Sequence, residues 1–195
     1  GDIQWFLDAP TLPMHGWAFS HLDALSHAGF RGVLYNGVPA SSVDSARGAS
    51  RLDIAAMRQG IVTRGVLIDI PRLMGRPFLD SGVAVTVADL EAWERRTGTR
   101  VQPGDVVLIL TGREARARAL PGWQLVRGSA GLHPGIARWL RDRNAAALGG
   151  DGASDPSPSL VAGVSEPFHQ LALVSMGVRL FDNLAVEGLA AAAGA

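Results

Sequence analysis

Hydrophobic residues fall into four short runs that have the length and composition of buried strands. The first run, residues 62–70 (VTRGVLIDI), is rich in β-branched residues, and we expect Pro71 to end it. Turn residues precede the second run, residues 106–110, and glycines follow the third, residues 145–148. The fourth run covers residues 178–184. Each run is too short for a typical helix, so we predict four strands.

Helical patterns lie between and after these runs. Thr86 suits an N-cap, Asp89 suits the first turn of the following helix, and Gly98 suits its C-terminal end. Further helices are predicted at residues 136–143, with Pro134 near the first turn, at residues 168–176, and from residue 186 onward. Residues 152–159 (GASDPSPS) are rich in Pro, Ser and Asp, and we expect a mobile loop.

The alternation of strands and helices predicts an α/β sandwich. No internal repeat and no long linker interrupt the chain, so residues 1–195 are expected to form a single domain. Gly1 is not an initiator Met, which is compatible with a natural N-terminus further upstream. The start lacks the pattern of a signal peptide, and no apolar run is long enough for a membrane span.

Composition excludes several kinds of chemistry. All 18 basic residues are Arg, so a Schiff-base lysine is absent, and the lack of Cys excludes thiol nucleophiles and disulfides. The formal net charge is zero, which argues against a nucleic-acid partner. A chain without Cys is also compatible with the reducing cytoplasm, which we expect as its location.

Three of the five histidines lie within thirteen residues. His21 and Asp23 are two positions apart, so on an extended segment they share a face and can bind one divalent ion. His27 follows after a turn and could return over the same site. His15 would lie about 20 Å from His21 along a straight strand, so we expect a structural or supporting role unless the chain bends. A hydrogen-bonded surface pair is the alternative for His21 and Asp23.

Other polar residues support fewer conclusions. His169 begins a predicted helix and Asp182 lies on the strand that follows it, so the two could meet at one end of a sheet. Arg113, Arg116 and Arg118 are expected to form a solvated helix face.

The histidine-rich segment resembles the cyclase family that includes bacterial kynurenine formamidase and isatin hydrolase. Residues 20–27, Ser-His-Leu-Asp-Ala-Leu-Ser-His, match the second half of the family signature His-x-Gly-Thr-His-x-Asp-x-Pro-x-His, with Ser for Thr and Leu for Pro. Further landmarks follow in family order: residues 35–37 (YNG), 63–69 (TRGVLID), 102–105 (QPGD), 111–112 (TG), and His169 through residues 182–184 (DNL).

The resemblance implies a swivelling β/β/α fold with a mixed sheet, usually in a homo-oligomer such as a dimer or tetramer. It also implies one or two divalent ions, such as zinc or manganese. Carried over by position, His21, Asp23 and His169 are metal ligands, and Asp182 stands where the family has Glu. His27 is implied as the acid–base group.

One position departs from the signature. Trp17 stands where the first signature His is expected, and an indole N–H donates hydrogen bonds but cannot bind a metal. His15 could substitute for it only if the segment bends. Three outcomes stay open: one ion held through Asp23, His169 and Asp182, a rearranged site, or no metal.

The expected function is metal-dependent hydrolysis of an amide, lactam or lactone in a small aromatic or cyclic substrate. Two alternatives are kept. The same site could catalyse cyclisation or dehydration in a specialised biosynthetic pathway, with Trp17 and Phe19 binding the substrate. These two aromatic residues could equally belong to the core. The other alternative is a degenerate relative that serves as a non-catalytic binding module.

Overall fold

The computed structural model describes Gln4 and residues 14–193. The strands are β1 His21–Leu22, β2 Val43–Asp44, β3 Gly48–Ala49, β4 Gly65–Asp69, β5 Ala84–Val85, β6 Val106–Leu110, β7 Gly131–Leu132, β8 Ala147–Gly150 and β9 Arg179–Asp182. The helices are α1 Ile70–Met74, α2 Val87–Thr97, α3 Arg113–Ala119, α4 Ile136–Asp142, α5 Pro167–His169, which continues into a π-helix at Gln170–Met176, and α6 Glu187–Ala193. Short 3-10 turns lie at Tyr35–Gly37, Ala40–Ser42, Ile54–Met57 and Leu125–Arg127.

A five-stranded mixed sheet forms the centre of the fold, in the order β1-β9-β8-β6-β4. Strands β4, β6, β8 and β9 are parallel, whereas β1 joins the edge antiparallel to β9. Two small sheets, β2–β3 and β5–β7, lie apart from it. The mixed α/β architecture that the sequence predicts is therefore confirmed.

The buried residues explain why these segments form a sheet. In β6 the sequence Val-Val-Leu-Ile-Leu is buried at four of its five positions, as expected for a central parallel strand covered on both faces. Helix α4 packs Ile136, Trp139 and Leu140 into the same core. No described helix is long and apolar enough to cross a membrane.

The predicted start and end of helix α2 are confirmed. The Thr86 side chain accepts a hydrogen bond from the Asp89 backbone N–H, and the Asp89 carboxylate accepts one from the Thr86 backbone N–H. This reciprocal pair is a capping box. Gly98 ends the helix in the left-handed conformation, at φ 71°.

The predicted strand at residues 62–70 is too long at both ends. Its start is solvated, with Val62 fully exposed, and β4 covers only Gly65–Asp69. Ile70 instead begins α1, because the Asp69 carboxylate caps the Arg72 backbone N–H. Pro71 lies in the first turn of α1, where its missing N–H costs no hydrogen bond. The proline therefore marks a helix start.

Other predicted boundaries shift by one or a few residues. Strand β8 begins at residue 147 instead of 145, and β9 covers only Arg179–Asp182 of the predicted strand at 178–184. The predicted helix at 168–176 is present, but from Gln170 it has the wider π-helical winding and ends at Gly177. The two small sheets were not predicted, because strands of two residues leave no periodic pattern.

Candidate metal centre

The pairing of β1 with β9 assembles the site. In this antiparallel pair His21 lies directly opposite Asp182. The backbone N–H of Asp23 then donates to the Leu180 carbonyl at 2.8 Å, which extends the contact by one residue. The expected convergence of the His21-x-Asp23 motif with Asp182 is present.

The Asp23 carboxylate lies at the centre of a ring of histidines and is completely buried. Its Oδ1 atom lies 3.3 Å from His15 Nδ1, 3.7 Å from His21 Nε2 and 3.9 Å from His27 Nε2. Its Oδ2 atom lies 3.7 Å from His169 Nε2. Among the described residues, neither oxygen has a hydrogen-bond partner with acceptable geometry.

An unpartnered buried carboxylate is costly and calls for a cation or a proton. Burial, together with the charge of Asp182, raises the pKa of Asp23 to about 6. Two groups of residues share Asp23: one with His15 and His21, the other with His169 and Asp182. Within each group the ligand atoms lie within 4.8 Å of one another. These nitrogen and carboxylate donors fit one or two divalent ions.

Hydrogen-bond partners that lie outside the cluster of histidines determine the tautomers of His21 and His169. His21 Nδ1 lies 2.9 Å from the Phe19 carbonyl, and a carbonyl only accepts, so Nδ1 carries the proton. His169 Nδ1 lies 2.7 Å from an Asp155 carboxylate oxygen and is likewise the donor. In both rings Nε2 therefore points toward Asp23, as in metal-binding histidines.

The loop after β8 builds the floor of the site, so the prediction of a mobile loop is wrong for residues 152–156. Ser154 and Asp155 are buried. The Ser154 hydroxyl donates to Asp182 Oδ1 at 2.8 Å, and Asp155 accepts from the backbone N–H groups of Phe168 and His169. The polar composition of this segment is therefore explained by side chains that hydrogen-bond to the site. It does not reflect exposure to solvent.

His15 lies at the site, contrary to the expectation from a straight strand. Residues 14–19 form a turn that folds back. The His15 ring stacks on His27 with centroids 4.0 Å apart and meets His21 edge-on at 5.0 Å. His15 thus lies beside Asp23 in a site where the signature His is replaced by Trp17.

Trp17 and Phe19 do not belong to the core. The two residues are 42% and 40% exposed, so the core alternative is wrong. Neither belongs to the two groups of ligand atoms. A role in substrate binding stays a prediction.

The protonation states of His27 and His169 differ. Burial lowers the pKa of His27, and the neighbouring His169 lowers it further. Burial also acts to lower the pKa of His169, but its hydrogen bonds with Asp155 and Asp182 outweigh that effect and raise the pKa to about 10. His27 is therefore neutral near pH 7. His169, in contrast, is a positively charged imidazolium in the metal-free protein, with a proton on each ring nitrogen.

The arginine run in α3 is only partly solvated, which corrects the sequence prediction. Arg118 is exposed and pairs with Glu114. Arg116 is largely buried, and its guanidinium donates to the Leu79 carbonyl. Arg113 donates to the Asn183 side chain and to the Trp17 carbonyl. Two of the three arginines therefore bind the protein itself.

Five further residues support the site and were not predicted as site residues: Arg113, Asp151, Ser154, Asp155 and Asn183. A usable signal was present for all five. Arg113 follows β6, Asp151, Ser154 and Asp155 follow β8, and Asn183 follows β9. Sites in α/β sheets gather at the carboxyl ends of such parallel strands.

Comparisons with known proteins identify the family and the fold. Residues 5–155 match the family model described as "Cyclase: Putative cyclase". No curated protein sequence gives a match. A crystal structure described as a novel cyclase is 29% identical with a TM-score of 0.82, and the match covers 100% of this chain and 64% of that one. The chain thus spans less than two thirds of that relative.

Isatin hydrolases share the fold at lower identity. Isatin hydrolase A from Labrenzia aggregata bound to benzyl benzoate is 18% identical with a TM-score of 0.55, covering 94% of this chain and 77% of that one. An isatin hydrolase bound to the product analogue thioisatinate is 19% identical with a TM-score of 0.54, covering 87% and 60%. Because the family match extends over more than half of its residues, this chain belongs to the cyclase family.

Proposed function

We propose that this protein is a metal-dependent hydrolase that cleaves an amide, lactam or lactone bond in a small cyclic or aromatic substrate. The observation that carries the proposal is the Asp23 carboxylate, which is fully buried, lacks a hydrogen-bond partner among the described residues and is shared by two sets of possible ligands. Structural carboxylates in a core are normally paired, as Asp155 is here.

The chain's own residues would hold zinc or manganese through mixed nitrogen and oxygen donors. His15, His21 and Asp23 form one set, and Asp23, His169 and Asp182 form the other. Neutral imidazole and ionised carboxylate are the binding forms, so His169 must lose its proton first. A divalent ion bound there would polarise the scissile carbonyl and lower the pKa of a bound water.

His27 is proposed to move the proton. Its pKa is lowered by burial, so its neutral ring can accept a proton near pH 7 and return it to the leaving group. Its side chain is 34% exposed, so substrate could reach it from solvent. His15 stacks on the His27 ring and limits its rotation.

Trp17 and Phe19 are proposed to bind the substrate. Their exposed rings lie on the turn between His15 and His21, and aromatic faces bind flat apolar molecules. The isatin hydrolases that share this fold were solved with benzyl benzoate and thioisatinate, both aromatic molecules. A small-molecule partner, a homo-oligomer and a cytoplasmic location stay predictions.

Elemental analysis of the purified protein after dialysis and soaking in zinc or manganese tests the metal. We expect about one equivalent or more, lost in His21→Ala and in Asp23→Ala. His133→Ala is the matched control, because His133 is exposed and, within the described part of the chain, its ring only accepts a hydrogen bond from the Gly135 backbone N–H. Metal below about a tenth of an equivalent in the soaked wild type would refute the proposal.

A screen of amides, lactams and lactones in ¹⁸O-labelled water then tests the reaction. Hydrolysis must place solvent oxygen in the product, whereas cyclisation or dehydration does not. We expect His27→Ala to lower kcat at least about a hundredfold on a confirmed substrate while it retains the metal. Unchanged turnover would remove the proton role from His27.

A further inference from the structure

The turn that carries His15 is fastened to the sheet through its backbone carbonyls. Arg113, the first residue of α3, donates from its guanidinium to the Trp17 carbonyl at 2.7 Å. Asn183, directly after β9, donates from its side-chain amide to the Gly16 carbonyl at 3.0 Å. Both contacts lie within two residues of His15, so they act on the part of the turn that determines where its ring lies.

Asn183 makes further contacts with the end of the same turn. Its amide lies 3.4 Å from the Phe19 carbonyl, and its own backbone carbonyl accepts from the Ser20 hydroxyl at 2.7 Å. Asn183 has a φ of 57°, a left-handed conformation that Asn tolerates better than most residues. This conformation lets one residue bind the turn through its side chain and its backbone.

Arg113 and Asn183, named here the clamp residues, also form a hydrogen bond with each other. The Arg113 guanidinium donates to Asn183 Oδ1 at 3.0 Å, which turns the amide nitrogen of Asn183 toward the turn. Asp151, buried at the end of β8, accepts from the Arg113 backbone N–H at 2.7 Å. An arginine serves acceptors in several directions from one planar group, which a lysine cannot do.

We propose that Arg113 and Asn183 are positioning residues that hold His15 beside Asp23 and thereby set the metal affinity of the group His15, His21 and Asp23. This inference rests on the proposed metal-dependent function. The physical reason is preorganisation: a turn held by these hydrogen bonds need not lose its conformational freedom when the ion binds. The clamp makes His15 usable in the place of the signature His that Trp17 replaces.

A double-mutant cycle in the full chain separates positioning from general stability. Zn²⁺ affinity is measured by calorimetry for wild type, Arg113→Met, His15→Ala and the double variant. We expect Arg113→Met to weaken binding about tenfold, the size seen when outer-shell partners are lost. In the His15→Ala background the same substitution should change affinity less than about twofold, because the residue through which it acts is gone.

Asn183→Gly provides a second variant that keeps the left-handed backbone conformation at little cost. It should reproduce the loss of affinity and, in the metal-free protein, raise hydrogen–deuterium exchange in residues 14–20. Arg118→Met is the control on the same helix, since among the described residues Arg118 pairs with Glu114 alone and makes no hydrogen bond to the turn. It should leave both measurements unchanged.

Three results would overturn the inference. Equal losses in the presence and absence of His15 would make Arg113 a general stabiliser, and unchanged affinity in both clamp variants would remove the clamp. In these two cases wild type still binds Zn²⁺, so the proposed metal centre stands. Failure of wild type to bind Zn²⁺ would overturn the metal centre and, with it, any effect of the clamp on affinity.

Discussion

Replacing Asp155 by alanine removes three hydrogen bonds from a buried position. The carboxylate accepts from the Phe168 N–H at 2.7 Å, the His169 N–H at 3.0 Å and His169 Nδ1 at 2.7 Å. Water can reach neither backbone donor easily, and each unsatisfied buried group costs roughly 1–3 kcal/mol. Loss of one partner from a buried ion pair costs roughly 3–5 kcal/mol. Because these contributions overlap, we expect the free energy of unfolding to fall by about 3–5 kcal/mol.

The loss in Asp155→Ala should depend on pH in a defined direction. The folded-state pKa of His169 is raised from 6.5 to about 10. The stabilisation from its bound proton is therefore fully present below about pH 6.5 and disappears as the pH rises through about 10. The difference between wild type and Asp155→Ala should be largest near pH 6.5 and smaller at higher pH.

Urea unfolding with a chelator present measures both effects in the metal-free protein. Asp155→Asn is the matched control, since its one remaining oxygen can still accept a hydrogen bond, and it should cost less than Asp155→Ala. In the metal-loaded protein, Asp155→Ala should also weaken Zn²⁺ binding by about 10- to 100-fold. A loss of stability below about 1 kcal/mol, or one that does not vary with pH, would refute this reasoning.

Three further predictions follow from described contacts. Zn²⁺ uptake near pH 7 should release protons to a pH indicator, because His169 must lose its proton to bind; uptake without release would contradict its role as a ligand. Gly131→Ala should lower the thermal midpoint and reduce metal binding, because the added Cβ would lie 2.7 Å from the Asp155 carbonyl oxygen. The control Gly65→Ala should change both measurements little, because the nearest atom to its added Cβ lies at 3.9 Å. Glu94→Ala removes a buried carboxylate that accepts hydrogen bonds from the Val101 N–H and from Arg143, far from the site. It should lower the free energy of unfolding in urea by about 3 kcal/mol yet leave Zn²⁺ affinity unchanged. A large loss of affinity would show that the metal assays report general stability.

Hydrophobic pattern was sufficient to predict the four parallel strands and helices α2 and α4, but not α1 or the two-residue strands β5 and β7, which also contribute to the core. Residues 106–110 form a buried strand, as expected because every position is apolar. Thr86 and Gly98 predict where α2 begins and ends. Pro71 was misread because a proline ends a strand and begins a helix equally well. The difference depends on the Asp69 cap, which becomes visible only when the local backbone is known.

The site could be predicted only where its residues match the cyclase signature and its later landmarks. His21 lies opposite Asp182 on paired strands, but β1 has only two residues and leaves no periodic pattern, so only the order of the family landmarks along the chain could bring the two residues together. His15 lies on a turn whose shape depends on hydrogen bonds from Arg113 and Asn183, which are distant in the sequence. Asp155 lies in a loop whose composition is typical of exposed segments. No local pattern encodes either position.

The pairing of β1 with β9 has a consequence for the time at which the site can form during synthesis. Ser20 and Asn183, which hydrogen-bond beside the site, are separated by 163 residues. A nascent chain on the ribosome therefore carries the histidine-rich segment long before its partner strand is translated. During that interval Asn183 is not yet present to hold the turn that carries His15, and Asp182 is not yet present opposite His21. The proposed metal centre can therefore assemble only when β9 has emerged and paired, so it forms late, after the parallel strands β4, β6 and β8 have been translated.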